Sequence, residues 1–323
     1  MNIVVLDGQT LNPGDNPWQE VEELGELTVY AKTEPKDVVK RSAAAGIIVT
    51  NKVVIDAAVL DQLPALRFIA VTATGYNVVD VAAANRKGML VSNVPVYGTD
   101  SVAQHVFASL LSFIHRPELH HAAIQAGEWE ASGNFSFWKS SVVELAGKTM
   151  GIVGFGRIGK ATARLAAAFG MKVVVTLRSA AGLSQFDEVE VLGVEELFAV
   201  SDFISLHCPQ TESNVGFVNR ELIDRMKQSS VLINTARGGL INEHDLAEAL
   251  SSRRIAGAIL DVVSEEPMTV DNPLFSAPNC LLTPHMAWTA LEARRRLMHV
   301  TAENIAAFLD GNPINVIPTE VCG

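Results

Sequence analysis

A histidine, a glutamate and an arginine, each just past a short apolar run, are the residues of this sequence best suited to chemistry. His285 lies in Leu-Thr-Pro-His-Met-Ala-Trp (282–288). Glu266 closes the carboxylate-rich stretch that starts at Asp261, and Arg237 stands among small residues in Asn-Thr-Ala-Arg-Gly-Gly (234–239). An imidazole exchanges protons near neutral pH, and a guanidinium grips a carboxylate with two parallel hydrogen bonds. Each residue alone has an ordinary explanation: a structural histidine, a surface glutamate, an arginine paired with Asp261. What they share is position, because the carboxyl ends of strands are where open α/β sheets bind ligands.

A second feature addresses phosphate. The apolar run 150–153 is followed by Gly154-Phe155-Gly156-Arg157-Ile158-Gly159, then by a helical stretch at 160–169 and a second apolar run at 172–177. A glycine triplet alone is weak evidence, but at a strand-to-helix turn inside a βαβ unit it marks a dinucleotide site. Gly154 permits the tight turn, Gly156 lets backbone approach the pyrophosphate, and Gly159 lets helix pack on strand. The helix start, at Arg157 and Ile158, offers N–H groups and a positive dipole end. An NAD site usually has Asp or Glu at the end of the second strand, to bind ribose. Here that place reads Leu177-Arg178-Ser179. Arg178 can fork onto a 2′-phosphate and Ser179 can add a hydrogen bond, so NADP(H) is the expected cofactor, with NAD(H) as the alternative.

Positioning these residues takes strands with helices between them. Apolar runs at 2–6, 46–49, 68–71, 150–153, 173–177, 203–206, 231–233, 258–260 and 280–282 read as strands. Between many of them lie segments with apolar residues three and four apart, such as 243–250. That rhythm predicts an α/β protein of parallel sheets covered by helices on both faces. Length suits two domains rather than one. The dinucleotide motif begins near residue 150, and long helices are expected at 101–114 and 289–308. The domains therefore read as interleaved, one from 1–99 plus 289–323 and the other 100–288.

Composition narrows the function classes. The chain carries 25 Lys and Arg against 36 Asp and Glu, a net charge of −11, without a basic run. Nucleic acid is therefore not an expected partner. No apolar stretch is long enough for a membrane span, and the start, MNIVVLDG, reads as a first strand rather than a signal peptide. Cys208, Cys280 and Cys322 are an odd count without metal-ligand spacing. Buried thiols in a reducing cytoplasm, and no metal, are the expectation.

Taken together and in this order, the glycine motif and the Arg237, Glu266 and His285 segments resemble the D-isomer-specific 2-hydroxyacid dehydrogenase family. The resemblance covers nearly the whole chain, including 71–80 and 145–159. It is strongest toward the glycerate dehydrogenase (hydroxypyruvate reductase) branch, through Thr74-Gly75-Tyr76-Asn77, 134–138 and 285–288. It implies two doubly wound parallel-sheet domains, with a Rossmann cofactor domain inserted into a flavodoxin-like substrate domain. It also implies hydride transfer between a nicotinamide and a small 2-keto or 2-hydroxy acid, most closely hydroxypyruvate and glyoxylate, in a homodimer. His285 would be the acid in reduction and the base in oxidation. Glu266 would bond the other ring nitrogen, and Arg237 would clamp the substrate carboxylate and polarise its carbonyl. Backbone at Thr74, Gly75 and Tyr76, with Lys52 nearby, would meet the substrate carboxylate. Asp261 would reach the nicotinamide end, while His207, Cys208, Pro209, Thr235 and Ala236 would line the cofactor. Residues 134–138 and Trp288 would close the substrate pocket or pack between subunits. Other readings are a sugar or aromatic 2-keto acid as substrate, or a dinucleotide-sensing scaffold without catalysis.

Overall fold

Short runs of β-branched and aliphatic residues, apolar on both faces, build the centres of two parallel sheets. The computed structural model describes residues 1–177 and 189–318. The chain divides into two compact units: Met1–Gly98 together with the chain from Thr289 onward, and Thr99–Trp288.

The first unit holds β1 (Asn2–Val5), β2 (Glu26–Val29), β3 (Ile47–Thr50), β4 (Phe68–Val71) and β5 (Leu90–Ser92). All pair in parallel in the order β2-β1-β3-β4-β5, the flavodoxin-like arrangement. Residues of β3 and β4 are buried without exception. Helix Leu291–Leu309 completes this unit from the far end of the chain. Phe308 stacks on Phe68 with ring centroids 4.5 Å apart, and Arg294 forms a bidentate pair with Asp15. Sequence reasoning missed β2 and β5. β2 is an edge strand with mostly exposed residues, and β5 has only three, so neither carries a readable apolar pattern.

The second unit holds β6 (Thr149–Val153), β7 (Lys172–Thr176), β8 (Glu190–Val191), β9 (Phe203–Leu206), β10 (Val231–Asn234), β11 (Gly257–Leu260) and β12 (Cys280–Leu282). Their order, β12-β11-β10-β9-β6-β7-β8, is that of a Rossmann sheet extended by one strand. Alternate side chains feed two cores, one on each face. Leu232 of β10 joins Leu197, Phe198, Leu206 and Leu246 on one side. Ile233 joins Val106, Leu110, Ile152 and Ala166 on the other. Helix Thr99–His115 covers the second face, burying Val102, Val106, Leu110 and Ile114 at helical spacing. β8, a two-residue exposed strand, was not anticipated. Strand order reverses between β6 and β9, where doubly wound sheets bind ligands. Among the described residues no helix is long and apolar enough to cross a membrane, and no cluster of three or more His, Cys, Asp or Glu could hold a metal ion. Cys208 and Cys280 form no disulfide among the described residues and are half-buried rather than fully buried, and Cys322 lies outside the described residues.

Candidate active site

The glycine motif sits on the carboxyl end of β6. Gly154 has φ +94°, and a Cβ there would lie 2.6 Å from the amide nitrogen of Cys208. The backbone after β9 therefore passes directly over this turn. Gly159, buried in helix Arg157–Ala168, faces the Gly154 carbonyl with no room for a side chain. Gly156 differs: a Cβ there would meet nothing within 4 Å, and among the described residues no side chain caps the helix it opens. Open space before a twelve-residue helix start fits a bound pyrophosphate. Arg157 is exposed and Ile158 half-buried at that start. Across the switch point, Thr235 carries a buried hydroxyl that makes no hydrogen bond among the described residues, which fits a polar ligand there. The neighbouring Ala236 amide bonds the Asn234 side chain. His207 is half-buried at the end of β9, beside Ser205 Oγ at 2.9 Å, and Pro209 is exposed. Burial pushes the His207 imidazole down to about 4, so this wall of the site is uncharged at neutral pH. Arg178 and Ser179 lie outside the described residues.

Arg237, Glu266 and His285 follow β10, β11 and β12, three neighbouring parallel strands. Buried Asn234 shapes the first turn by donating Nδ2 to the Arg237 carbonyl at 2.9 Å. The guanidinium is exposed and donates to the Ala236 carbonyl rather than pairing with Asp261. His285 Nδ1 lies 2.6 Å from Glu266 Oε2, and the other oxygen of Glu266 accepts from the Val263 amide at 3.4 Å. One imidazole nitrogen is thus committed to a carboxylate, which leaves Nε2 as the nitrogen able to exchange a proton with a ligand. His285 itself has a left-handed backbone, φ 52°. Asp261, after β11, is only 2% exposed. Its carboxylate accepts from Thr283 Oγ1 and from the Met286 and Ala287 amides, so burial is compensated by hydrogen bonds within the turn. Trp288, just beyond, is half-buried.

In the first unit, Lys52 is exposed at the end of β3, and its amide donates to Asp7 Oδ2 at 2.6 Å. Asp7 also accepts from the Asn51 amide, and burial holds its carboxyl above the usual range. Sequence reasoning did not single out Asp7, although it ends the first apolar run as the other candidates end theirs. Thr74 and the half-buried Gly75 and Tyr76 follow β4. The Thr74 hydroxyl donates to the Val94 carbonyl at 2.9 Å, so it fixes its own turn.

A family model described as "D-isomer specific 2-hydroxyacid dehydrogenase, NAD binding domain" matches residues 107–287. A hydroxypyruvate reductase of Blautia hydrogenotrophica is 44% identical over 320 residues, spanning 98% of this chain and 99% of that protein. A glycerate dehydrogenase of Methylorubrum extorquens is 37% identical, with 98% of each chain covered. Among solved structures, an acyclic imino acid reductase in complex with NADPH and D-Arg superposes with a TM-score of 0.82 at 31% identity. That match covers 98% of this chain and all of the other.

Proposed function

The chain belongs to the D-isomer specific 2-hydroxyacid dehydrogenase family, and on that premise we propose that it reduces hydroxypyruvate and glyoxylate, preferring NADPH. It is an oxidoreductase acting on small 2-keto and 2-hydroxy acids with a nicotinamide cofactor. The observation that carries the reading is the 2.6 Å His285–Glu266 pair beside the Arg237 turn, on the sheet that also bears the glycine motif. When bound, the nicotinamide supplies or accepts the hydride. In reduction His285 gives its Nε2 proton to the C2 oxygen as C2 gains the hydride, and in oxidation it takes that proton back. Glu266 holds the ring so that Nε2 faces the substrate. Arg237 receives the carboxylate and stabilises charge developing on the carbonyl oxygen.

The test is a panel of hydroxypyruvate, glyoxylate, pyruvate, phenylpyruvate and a sugar 2-keto acid with NADPH and NADH, followed at the nicotinamide absorbance. Hydroxypyruvate and glyoxylate should give the highest kcat/KM. His285→Gln should bind cofactor but lose about 10²–10⁴-fold in rate. Turnover with the aromatic or sugar acid alone would replace the substrate reading, and cofactor binding without any turnover would favour a sensing scaffold.

The same reading includes a homodimer. Phe135 is 97% and Trp138 70% exposed, beside Trp129, which packs on Phe137 with centroids 6.5 Å apart. Such an aromatic surface suits contact with a second copy. Cysteines outside any disulfide among the described residues fit work in the reducing cytoplasm.

A further inference from the structure

A side chain bearing a Cβ keeps a left-handed backbone only where its surroundings hold it there. At His285 the amide also donates to the Thr283 carbonyl at 3.0 Å, and Asp261 binds the turn at four points. The Asp261 carbonyl accepts the His285 amide at 2.7 Å. Its Oδ1 accepts the Met286 amide at 2.8 Å and the Thr283 hydroxyl at 2.6 Å, and its Oδ2 accepts the Ala287 amide at 2.8 Å. A further group closes this cluster from behind. His105 Nε2, on helix Thr99–His115, lies 3.2 Å from Thr283 Oγ1 and 3.6 Å from Asp261 Oδ1. Thr283 has one hydroxyl proton and gives it to Asp261, so toward His105 its oxygen can only accept. His105 Nε2 must therefore carry the proton. Ser101, one turn earlier on the same helix face, donates to the Ala287 carbonyl at 2.7 Å, and Ser109, one turn later, lies 3.3 Å from His105 Nε2.

We propose that His105 is a positioning residue of the reaction. Through Thr283 and Asp261 it fixes the turn that aims the His285 imidazole. The helix grips this turn at both ends, at Thr283 before the histidine and at Ala287 after it. Releasing the first grip lets the Thr283 hydroxyl reorient and frees the Asp261 carboxylate to shift. Displacing an acid by as little as 1 Å costs up to about a hundredfold in rate.

The inference rests on His285 being the acid–base residue, so the experiment separates the two. His105→Leu, His105→Gln, Thr283→Val and His285→Gln are compared in the full chain by kcat, keto-acid KM, NADPH Kd from fluorescence titration, and thermal melting. His105→Leu should lose about ten- to a hundredfold in kcat, with NADPH Kd and keto-acid KM changed less than about threefold. His105→Gln, whose amide can donate to Thr283, should recover most of the loss. Thr283→Val should match His105→Leu and reads the same link if the leucine variant does not fold. Wild-type kcat in His105→Leu, a glutamine variant no better than leucine, or NADPH affinity falling in step with kcat would overturn the proposal. If His285→Gln alone loses turnover, the positioning role fails and the acid stands. If His285→Gln keeps wild-type turnover, both fail.

Discussion

At the end of β7 the chain places Leu177, half-buried against the core, where NAD-binding sheets usually hold a carboxylate; Arg178 comes next. A guanidinium facing a 2′-phosphate makes charge-assisted bonds of about 1.5–3 kcal/mol. Arg178→Ala should therefore lower kcat/KM with NADPH by about ten- to a hundredfold while leaving NADH almost untouched. Equal losses with both cofactors would show that the arginine only stacks on adenine. His207 makes a second prediction at this scale, on stability. Its imidazole titrates at about 4 in the fold against an ordinary value of 6.5, because burial penalises the charged form. The unfolded chain therefore takes up the proton first as pH falls. The stability tied to the neutral ring is complete above pH 6.5 and is lost between 6.5 and 4, by up to roughly 3 kcal/mol. Melting temperature should drop through that window in the wild type and drop less in His207→Asn. Parallel melting curves for the two proteins would contradict the assignment. Burial also pushes the Cys280 thiol up to about 12, which keeps it protonated at neutral pH.

Secondary-structure elements explain what could be read without coordinates. β3, β4, β9, β10 and β11 are buried on both faces, so their apolar runs stand out in the chain, and Arg237 and Glu266 follow two of them; His285 follows β12, which is half-buried but still apolar throughout. Edge strands escape that test because water permits Glu26 and Glu190 in them. His105 and Asp7 escaped for another reason. Their partners are 178 and 44 residues away, and no local pattern records a hydrogen bond closed over that distance. The strand–turn–helix element of the glycine motif separates folding from ligand binding. Gly156 has an extended backbone and open space before it, so Gly156→Ala should leave the melting temperature unchanged. It should nevertheless raise the KM for cofactor by about tenfold or more, or at least 1.4 kcal/mol, because the added methyl occupies the pyrophosphate approach. A variant with normal cofactor KM would place the phosphates elsewhere. Gly159→Ala is the contrasting case. Its methyl would collide with the Gly154 carbonyl, so stability and binding should fail together.

For the whole molecule, assembly and folding are the remaining consequences. Phe135→Asp introduces a charge into the exposed aromatic surface and should convert a dimer to a monomer, read by size-exclusion chromatography with light scattering. A wild type that is already monomeric would remove the dimer from the reading. The split of the first unit across both ends of the chain also dictates an order of events on the ribosome. The unit Thr99–Trp288 is complete in sequence once residue 288 has emerged. Strands β1 to β5 are made earlier, yet Phe68 lacks its stacking partner and Asp15 its arginine until helix Leu291–Leu309 appears roughly two hundred residues later. At about 5–20 residues per second that is a delay of about 10–40 s. During it Ile48, Ile69 and Val71 already have core partners within residues 4–91, but the face of β4 that carries Phe68 lacks the helix that packs on it. Substitutions in that helix will therefore show first as lower soluble yield from living cells, before any loss of turnover per folded molecule.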